Sequence, residues 1–550
     1  MDEPAQLVLG PLLRWTDHES ATVWVEVSAP CTVTVCGSAA HTFQVAGRYY
    51  SIVVVRGLAP GSCTPYDVRL DDRLVWPPGD AELPASVIRT TADGSPVRIV
   101  AGSCRAAAPH EPPYTLDLAF NVEGRGVDTL WAHAHRMMRQ DSSEWPTLAV
   151  FLGDQIYADD TSPQARERIE ERRTDQVDLE SSDVYRYEEY CWLYHEAWSS
   201  PTERWFLSTV PSAMIFDDHD MIDDWNISAE WLREMSADST WIERATNGYM
   251  SYWVYQHLGN LSPDQLATDA LLAALLTVDD GTEILREWAQ RCLRASGTDG
   301  GVQFSHVRDL GGVTLITIDC RSGRVLDGSR RMVQPSEWSR IVEWAMEAPG
   351  HVVLVSSVPV FLPDGIHDLH TWNSRVCDGA WGARGRRLGE RVRRGLDLED
   401  WPAFPPSMDE FVALIRALRR RSDPPRSVVV LSGDIHFSYA ARVGEFDGEP
   451  GCDVWQIVSS PIRNALIPHE RSAMRLATTR AGALIGAALR RLSRGRDSRP
   501  AIDVVAGPFF ANNMVELRFD DAGTTAVFEH STSAESGEDP ELSVVGELRW

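Results

Sequence analysis

Seven short, almost uninterrupted apolar runs constrain this chain more than any other feature: 97–101, 147–152, 213–216, 313–318, 352–355, 428–431 and 454–458. A strand that is apolar on both sides has to be covered on both faces, so these runs require a layered α/β core with largely parallel sheets. Helical patterns lie between several of them, at 185–198, 240–258, 336–346 and 409–420. Residues 514–519 and 524–528, across Asp521-Ala522-Gly523, predict a late hairpin. The region before residue 97 is different. Short strands at 21–27, 31–35, 51–55, 65–70 and 86–89 succeed one another with turn formers such as Ala29-Pro30 and Pro60-Gly61 between them. No helical period intervenes, which predicts a β-sandwich, and Leu58-Ala59-Pro60-Gly61…Tyr66 resembles the turn into a late strand of fibronectin-like domains. Asp93-Gly94-Ser95-Pro96 reads as a linker. The expected organisation is an α/β protein, with a β-sandwich domain over 1–92 and a layered α/β/β/α sandwich over 93–550.

Charge narrows the chemistry. Acidic residues number 80 against 52 basic ones, a net charge of −28. Every basic residue is Arg, so mechanisms that need a lysine, Walker-type phosphate binding and Schiff bases among them, are excluded. The acidic field works against nucleic acid and anionic membranes. One segment reverses it: 461–499 holds nine Arg against Glu470 and Asp497 and predicts a basic helical insertion, with a surface helix over 473–492. No run approaches the roughly 18 apolar residues of a transmembrane helix, so no integral membrane segment is expected. The nine cysteines are scattered without a Cys-x-x-Cys pair, which argues against a zinc ribbon or a thioredoxin-like site.

The chemistry-bearing residues stand directly after the strands. The run 97–101 ends in Gly102-Ser103-Cys104-Arg105, 147–152 in Gly153-Asp154-Gln155-Ile156-Tyr157, and 213–216 in Asp217-Asp218-His219-Asp220, with Asp223-Asp224 just beyond. The run 428–431 ends in Ser432-Gly433-Asp434-Ile435-His436-Phe437-Ser438. Ligands bind at the carboxyl ends of strands in layered α/β sheets, and four such ends carry metal-type side chains here. Carboxylates converging on one crevice repel unless cations neutralise them. A mixture of oxygen, imidazole and thiol donors suits two unlike metals. Two ions about 3.5–4 Å apart can hold a phosphoryl oxygen and generate hydroxide at neutral pH, so the chemistry points to phosphoester hydrolysis.

In this order, and together with Ile318-Asp319-Cys320-Arg321, Asp400-Trp401 and Ser459-Ser460-Pro461, the motifs resemble the alkaline phosphatase D (PhoD) family of calcineurin-like metallophosphatases over most of residues 8–530. The resemblance implies a metal-dependent hydrolase of phosphodiesters, phosphomonoesters or both, acting through a metal-bound hydroxide on a phosphoester substrate. It implies Fe3+ on Cys104, Asp154 and Tyr157, and Ca2+ on a second site that shares Asp154 and adds Asp434 and His436. Mn2+ or Zn2+ would also suit such donors. The 217–224 stretch is expected to supply further ligands, assigned to Asp218 and Asp224; family members often carry an Asn pair where this chain has Asp223-Asp224. His219 is the expected general acid. Arg105 and Arg321 are candidate phosphate clamps, with a structural ion pair the equal alternative for Arg321. Trp225, Trp372, Trp381 and Trp401 are candidate pocket walls. The best-known members are exported; the acidic start Met1-Asp2-Glu3 lacks a leader, which predicts a cytoplasmic chain, or a secreted one if the sequence is a trimmed mature form. The competing readings are a nuclease-type phosphodiesterase tracking its substrate along 461–499, and a non-catalytic binding protein with a degenerate metal site.

Overall fold

The computed structural model describes residues 3–79, 83–173, 183–444, 451–495, 499–533 and 539–550. Among the described residues of 7–89 every regular element is a strand. Leu7–Thr16, Ser20–Val27, Arg48–Arg56 and Phe43–Val45 make one antiparallel sheet; Ser38–His41, Thr32–Val35, Val68–Leu70 and Arg73–Trp76 make a second. Val23, Val25, Val33, Val35, Val53 and Val68 fill the space between them. Successive residues of a strand face opposite ways. Trp24, Tyr50 and Ile52 accordingly leave the sandwich and join a core shared with the helices Tyr187–Trp198 and Ser239–Tyr252. Arg14 crosses the same seam, donating to Tyr255 O at 2.7 Å and Gln256 O at 2.8 Å.

The layered region contains two facing sheets. One has the order Ser212–Met214, Leu148–Phe151, Val97–Gly102, Asn513–Asp520, Gly523–Ser533, Pro540–Arg549, and its first three strands are parallel. The other has the order His306–Asp309, Val313–Ile318, His351–Ser356, Ser427–Ser432, Asp453–Val458, Ser438–Val443, Ile502–Phe509, with its parallel strands at the centre. Strand parity sorts the apolar runs into layers. Ile99, Val150, Val353, Val429 and Leu431 pack between the sheets. Val100, Ala149 and Phe151 face the outer helices of the first sheet, and Leu354, Val428 and Val430 those of the second, where Trp338, Ile341 and Phe411 cover them. The chain is thus an α/β protein in which a β-sandwich precedes an α/β/β/α sandwich.

Local details depart from the sequence pattern. The single helix expected over 473–492 is two, Pro468–Ala477 and Arg480–Leu492, because Thr479 leaves helical geometry and caps Gly482 N through its hydroxyl. The helix expected to reach 258 ends at Tyr252 and continues as a π-turn over Trp253–His257. The strands Ile502–Phe509 and Pro540–Arg549 escape the pattern because they are half exposed and interrupted by Gly and Pro. No helix among the described residues is long and apolar enough to cross a membrane.

Candidate active site

The four motifs leave their strands at one edge of the stacked sheets. Cys104 follows Val97–Gly102, Asp154 and Tyr157 follow Leu148–Phe151, Asp217, Asp218 and His219 follow Ser212–Met214, and Asp434 and His436 follow Ser427–Ser432. A bond from Asp434 N to Ser103 Oγ, 2.9 Å, stitches one sheet to the other. Backbone geometry at these positions is unusual. Cys104, Asp154, Asp434 and His436 have φ of 58°, 39°, 68° and 54°. Left-handed backbone costs a side-chain-bearing residue of order 1–3 kcal/mol, and such strain collects at functional sites. Gly153 has φ 128°, and a Cβ there would stand 2.6 Å from Asp217 Oδ2, so only glycine can lead the chain into Asp154.

Oxygens of Asp154, Asp217, Asp218 and Asp434 lie within 4.8 Å of one another, and a His219 nitrogen lies as close to Asp154 and Asp218. Burial, aided by the neighbouring carboxylates, pushes the Asp154 and Asp434 carboxyls well above the ordinary range and Asp217 up to about 6. Asp218 is held below it because Arg321 and His219 outweigh the effect of burial. Cys104 Sγ receives Ser460 Oγ at 3.4 Å, and Tyr157 Oη receives Asn464 Nδ2 at 2.9 Å. Burial and the Asp154 charge raise both acids, so neither ionises without a cation beside it. His436 is neutral, pushed down to about 4 by burial and His219.

The residues fit metal ions. Both oxygens of Asp154 and Oδ2 of Asp217 are buried with no hydrogen-bond donor, a costly state for a carboxylate unless a cation supplies the missing partner. A thiol and a phenol on one side, with carboxylates and a neutral imidazole around them, repeat the mixed donor set read from the motifs.

Several assignments change. Arg105 does not reach the cluster: it donates to Asp128 at 2.8 Å, Glu203 at 2.8 Å and Ala197 O at 2.5 Å, leaving nothing for a phosphate. Arg321 is fully buried and bonded to Asp217 and Glu399, with Nη2 3.2 Å from Asp218 and 3.8 Å from Asp434. Its guanidinium is held among the carboxylates, with Nη2 turned toward the cluster. Asp224 stands outside the cluster; burial with Glu399 and Asp397 lifts it to about 9, and only its backbone N–H meets Asp218, at 3.2 Å. Trp225, Trp372 and Trp401 are core side chains, whereas Trp381 is exposed at the surface. Asp217 joins the group instead, drawn from the stretch the motif singled out. Asp159 was also missed: it accepts from His219 Nδ1 at 2.8 Å, and its position directly after the Tyr157 motif was the available signal. Charge and hydrogen bond from Asp159, with Asp218 and Asp154, overcome burial and keep His219 protonated above its usual range. The His219 ring rests on Tyr157, centroids 4.6 Å apart. Beside Tyr157 opens a cleft of about 170 Å³ whose walls include Tyr114, Arg125, Ile156, Arg166 and Glu196.

The site is an under-neutralised carboxylate cluster at the strand ends of a two-sheet α/β sandwich. Residues 120–268, which hold Asp154, Tyr157 and the 217–224 stretch, match the model of the PhoD-like phosphatase family. Residues 4–88 match a domain of unknown function, DUF7800. Among solved structures, one described as "Structure of PhoD" superposes with a TM-score of 0.61 at 12% identity, covering 100% of this chain and 91% of that one. No curated protein matches the chain. The family match thus falls on the part of the chain that carries two of the four motifs, and the structural likeness extends the fold to the whole chain.

Proposed function

We propose that the protein is a metal-dependent phosphoesterase that cleaves phosphodiesters, phosphomonoesters or both with a water nucleophile. The observation that carries this reading is Asp154, with both oxygens buried, unpartnered and within 4.8 Å of three further carboxylates. Cys104, Tyr157 and Asp154 would hold a ferric ion; Asp154, Asp218, Asp434 and His436, with Asp217 beside them, would hold calcium. Cations there supply charge for the phosphoryl oxygens and acidify water. The chain's own groups do the rest. Asp159 fixes Nδ1 of His219, and Nε2, 3.9 Å from Asp223, is the atom that gives a proton to the departing alkoxide. Arg321 keeps Asp217 and Asp218 in place. The cleft beside Tyr157 takes the leaving group, with Arg125 and Arg166 toward any second charge on it. In this reading 93–550 is the catalytic unit and 1–92 its buttress.

The test is hydrolysis of p-nitrophenyl phosphate and bis(p-nitrophenyl) phosphate, with elemental mass spectrometry and visible absorption of the as-purified protein. Iron near one per chain, a phenolate-to-iron band and loss of activity with chelator are expected. Full activity in a protein stripped of all metal would refute the proposal.

A further inference from the structure

The helices Gly382–Gly395 and Arg480–Leu492 both pack on Asp364–Cys377. Gly482 and Gly486 allow the close approach: a Cβ at Gly486 would meet Asp368 Cβ at 2.8 Å. The outer faces adjoin, since Trp381 Nε1 donates to Leu492 O at 3.4 Å. They are apolar in a way a water-facing layer is not. Leu484 is 74% exposed, Leu492 67%, Ile485 56%, Leu388 49% and Trp381 41%. At 100° per residue, Ile485, Leu492, Ala481, Ala488 and Leu484 form one stripe of the second helix, with Arg480 and Arg491 along its edge. Arg384, Arg387 and Arg391 stand exposed on the first helix. Among the described residues none of these five guanidinium groups has a carboxylate partner. The second helix contains no acid, and Glu390, the sole acid of the first, is held by Ser228, Arg393 and Arg394.

We infer that this paired-helix face docks on an anionic lipid bilayer. Exposed Leu and Ile flanked by Arg, with a Trp at the margin, is the composition of a helix lying in the headgroup plane. Guanidinium binds phosphate in a bidentate manner and releases a counter-ion in doing so. The charge is complementary only locally, because the rest of the molecule is strongly acidic; an anionic surface therefore meets this protein favourably on this face and is repelled from others. A second copy is disfavoured, because an isologous dimer would set arginine against arginine. Nucleic acid would use the arginines but has no use for the apolar stripe. The face is tied to the candidate active site from two sides: the first helix runs into Asp397 and Glu399, and the chain entering the helical pair carries Ser460 and Asn464, which bond Cys104 and Tyr157.

The experiment is co-sedimentation of the full chain with vesicles of phosphatidylcholine alone, or mixed with phosphatidylglycerol. Binding is expected to the mixed vesicles only, and to weaken with salt. Replacing Arg384, Arg387, Arg480 and Arg491 together by Gln should lower partitioning at least about 100-fold. Leu484→Ser, Ile485→Ser and Leu492→Ser together should lower it at least about 10-fold. All seven positions are solvent-exposed, so an unchanged thermal melt certifies folding. Absence of binding by the wild type, or equal binding by the wild type and both variants, overturns the inference. So does the combination of no vesicle binding with a dimer, in sedimentation velocity, that the apolar variant breaks, or with single-stranded DNA binding that the apolar variant retains. Because binding is read directly, the result does not depend on the phosphoesterase reading.

Discussion

Adjacent residues Cys104 and Arg105 serve two buried acidic groups built in opposite ways. Around Arg105, the oxygens of Asp128 and Glu203 are met by its guanidinium, by the backbone N–H groups of Leu130 and Trp131, by Ser200 and by His110 at 2.6 Å. Arg105 and His110, with Arg463 nearby, outweigh burial and hold Asp128 below its ordinary range. Around Cys104, three of the four carboxylates share one buried arginine, and the fourth, Asp154, meets no donor. Both groups offer at least three potential ligands within 4.8 Å. Geometry alone therefore does not separate a metal site from a structural ion pair; the balance of charge and the count of satisfied oxygens do.

Mutations should pull the two groups in opposite directions. Asp154→Asn is expected to lower hydrolysis by about 10⁴-fold or more and to remove bound metal with it. In chelated protein the same change should raise the melting temperature toward alkaline pH, because it removes a carboxyl whose ionised form burial disfavours. Retained activity with full metal occupancy, measured by elemental analysis, would sink the ligand role. Arg105→Met should do the reverse: it leaves Asp128 and Glu203 facing each other and should cost about 3–5 kcal/mol in urea unfolding, with metal content per folded chain unchanged. A neutral result would mean the Arg105 group is not a closed ion pair.

The smallest effect is on pH dependence. In chelated protein Asp217 titrates at about 6 and Asp220 at about 7, both raised first of all by burial from an ordinary 3.8. The folded chain then holds protons that the unfolded chain has lost. The stability these groups contribute is full below about pH 4 and disappears as pH rises through 6 and 7, by at most about 1.4 kcal/mol per pH unit for each proton. Asp128, whose acidity is increased, contributes in the other direction, only at low pH. Melts of chelated protein should therefore fall across that window, less so in Asp220→Asn, and saturating metal should flatten the curve. Superimposable curves with and without metal would contradict the comparison.

The layered core was legible because strands covered on both faces read as continuous apolar runs; Val313–Ile318 has the expected bounds, and His351–Ser356 and Ser427–Ser432 extend by one residue at each end. The Gly-Asp turns and the Asp-Asp-His-Asp run were legible because few other roles put those residues behind such strands. Pairing across the fold was not. Nothing local distinguishes Arg105, which closes an ion pair with residues 128 and 203, from an arginine aimed at substrate. Asp217 and Asp224 are equivalent in sequence; only the position of Arg321, about a hundred residues on, draws one into the cluster. The break at Thr478-Thr479 was hidden because Ala and Leu continue on both sides of it.

The seam between the sandwich and the helices bears on how such a chain can vary. Trp24 and Tyr50 lie 5.3 and 5.6 Å from the ring of Tyr255, and buried Glu26 holds Arg48, His195 and Tyr255 at once. These side chains belong to one sheet of the sandwich, yet they are covered by helices some 140 to 230 positions later in the chain. The two segments that separate family models recognise are therefore not interchangeable modules. A sandwich grafted from a relative would bring the wrong aromatic surface to the Tyr187–Trp198 helix, so substitutions on the two sides of this seam have to be inherited as a set.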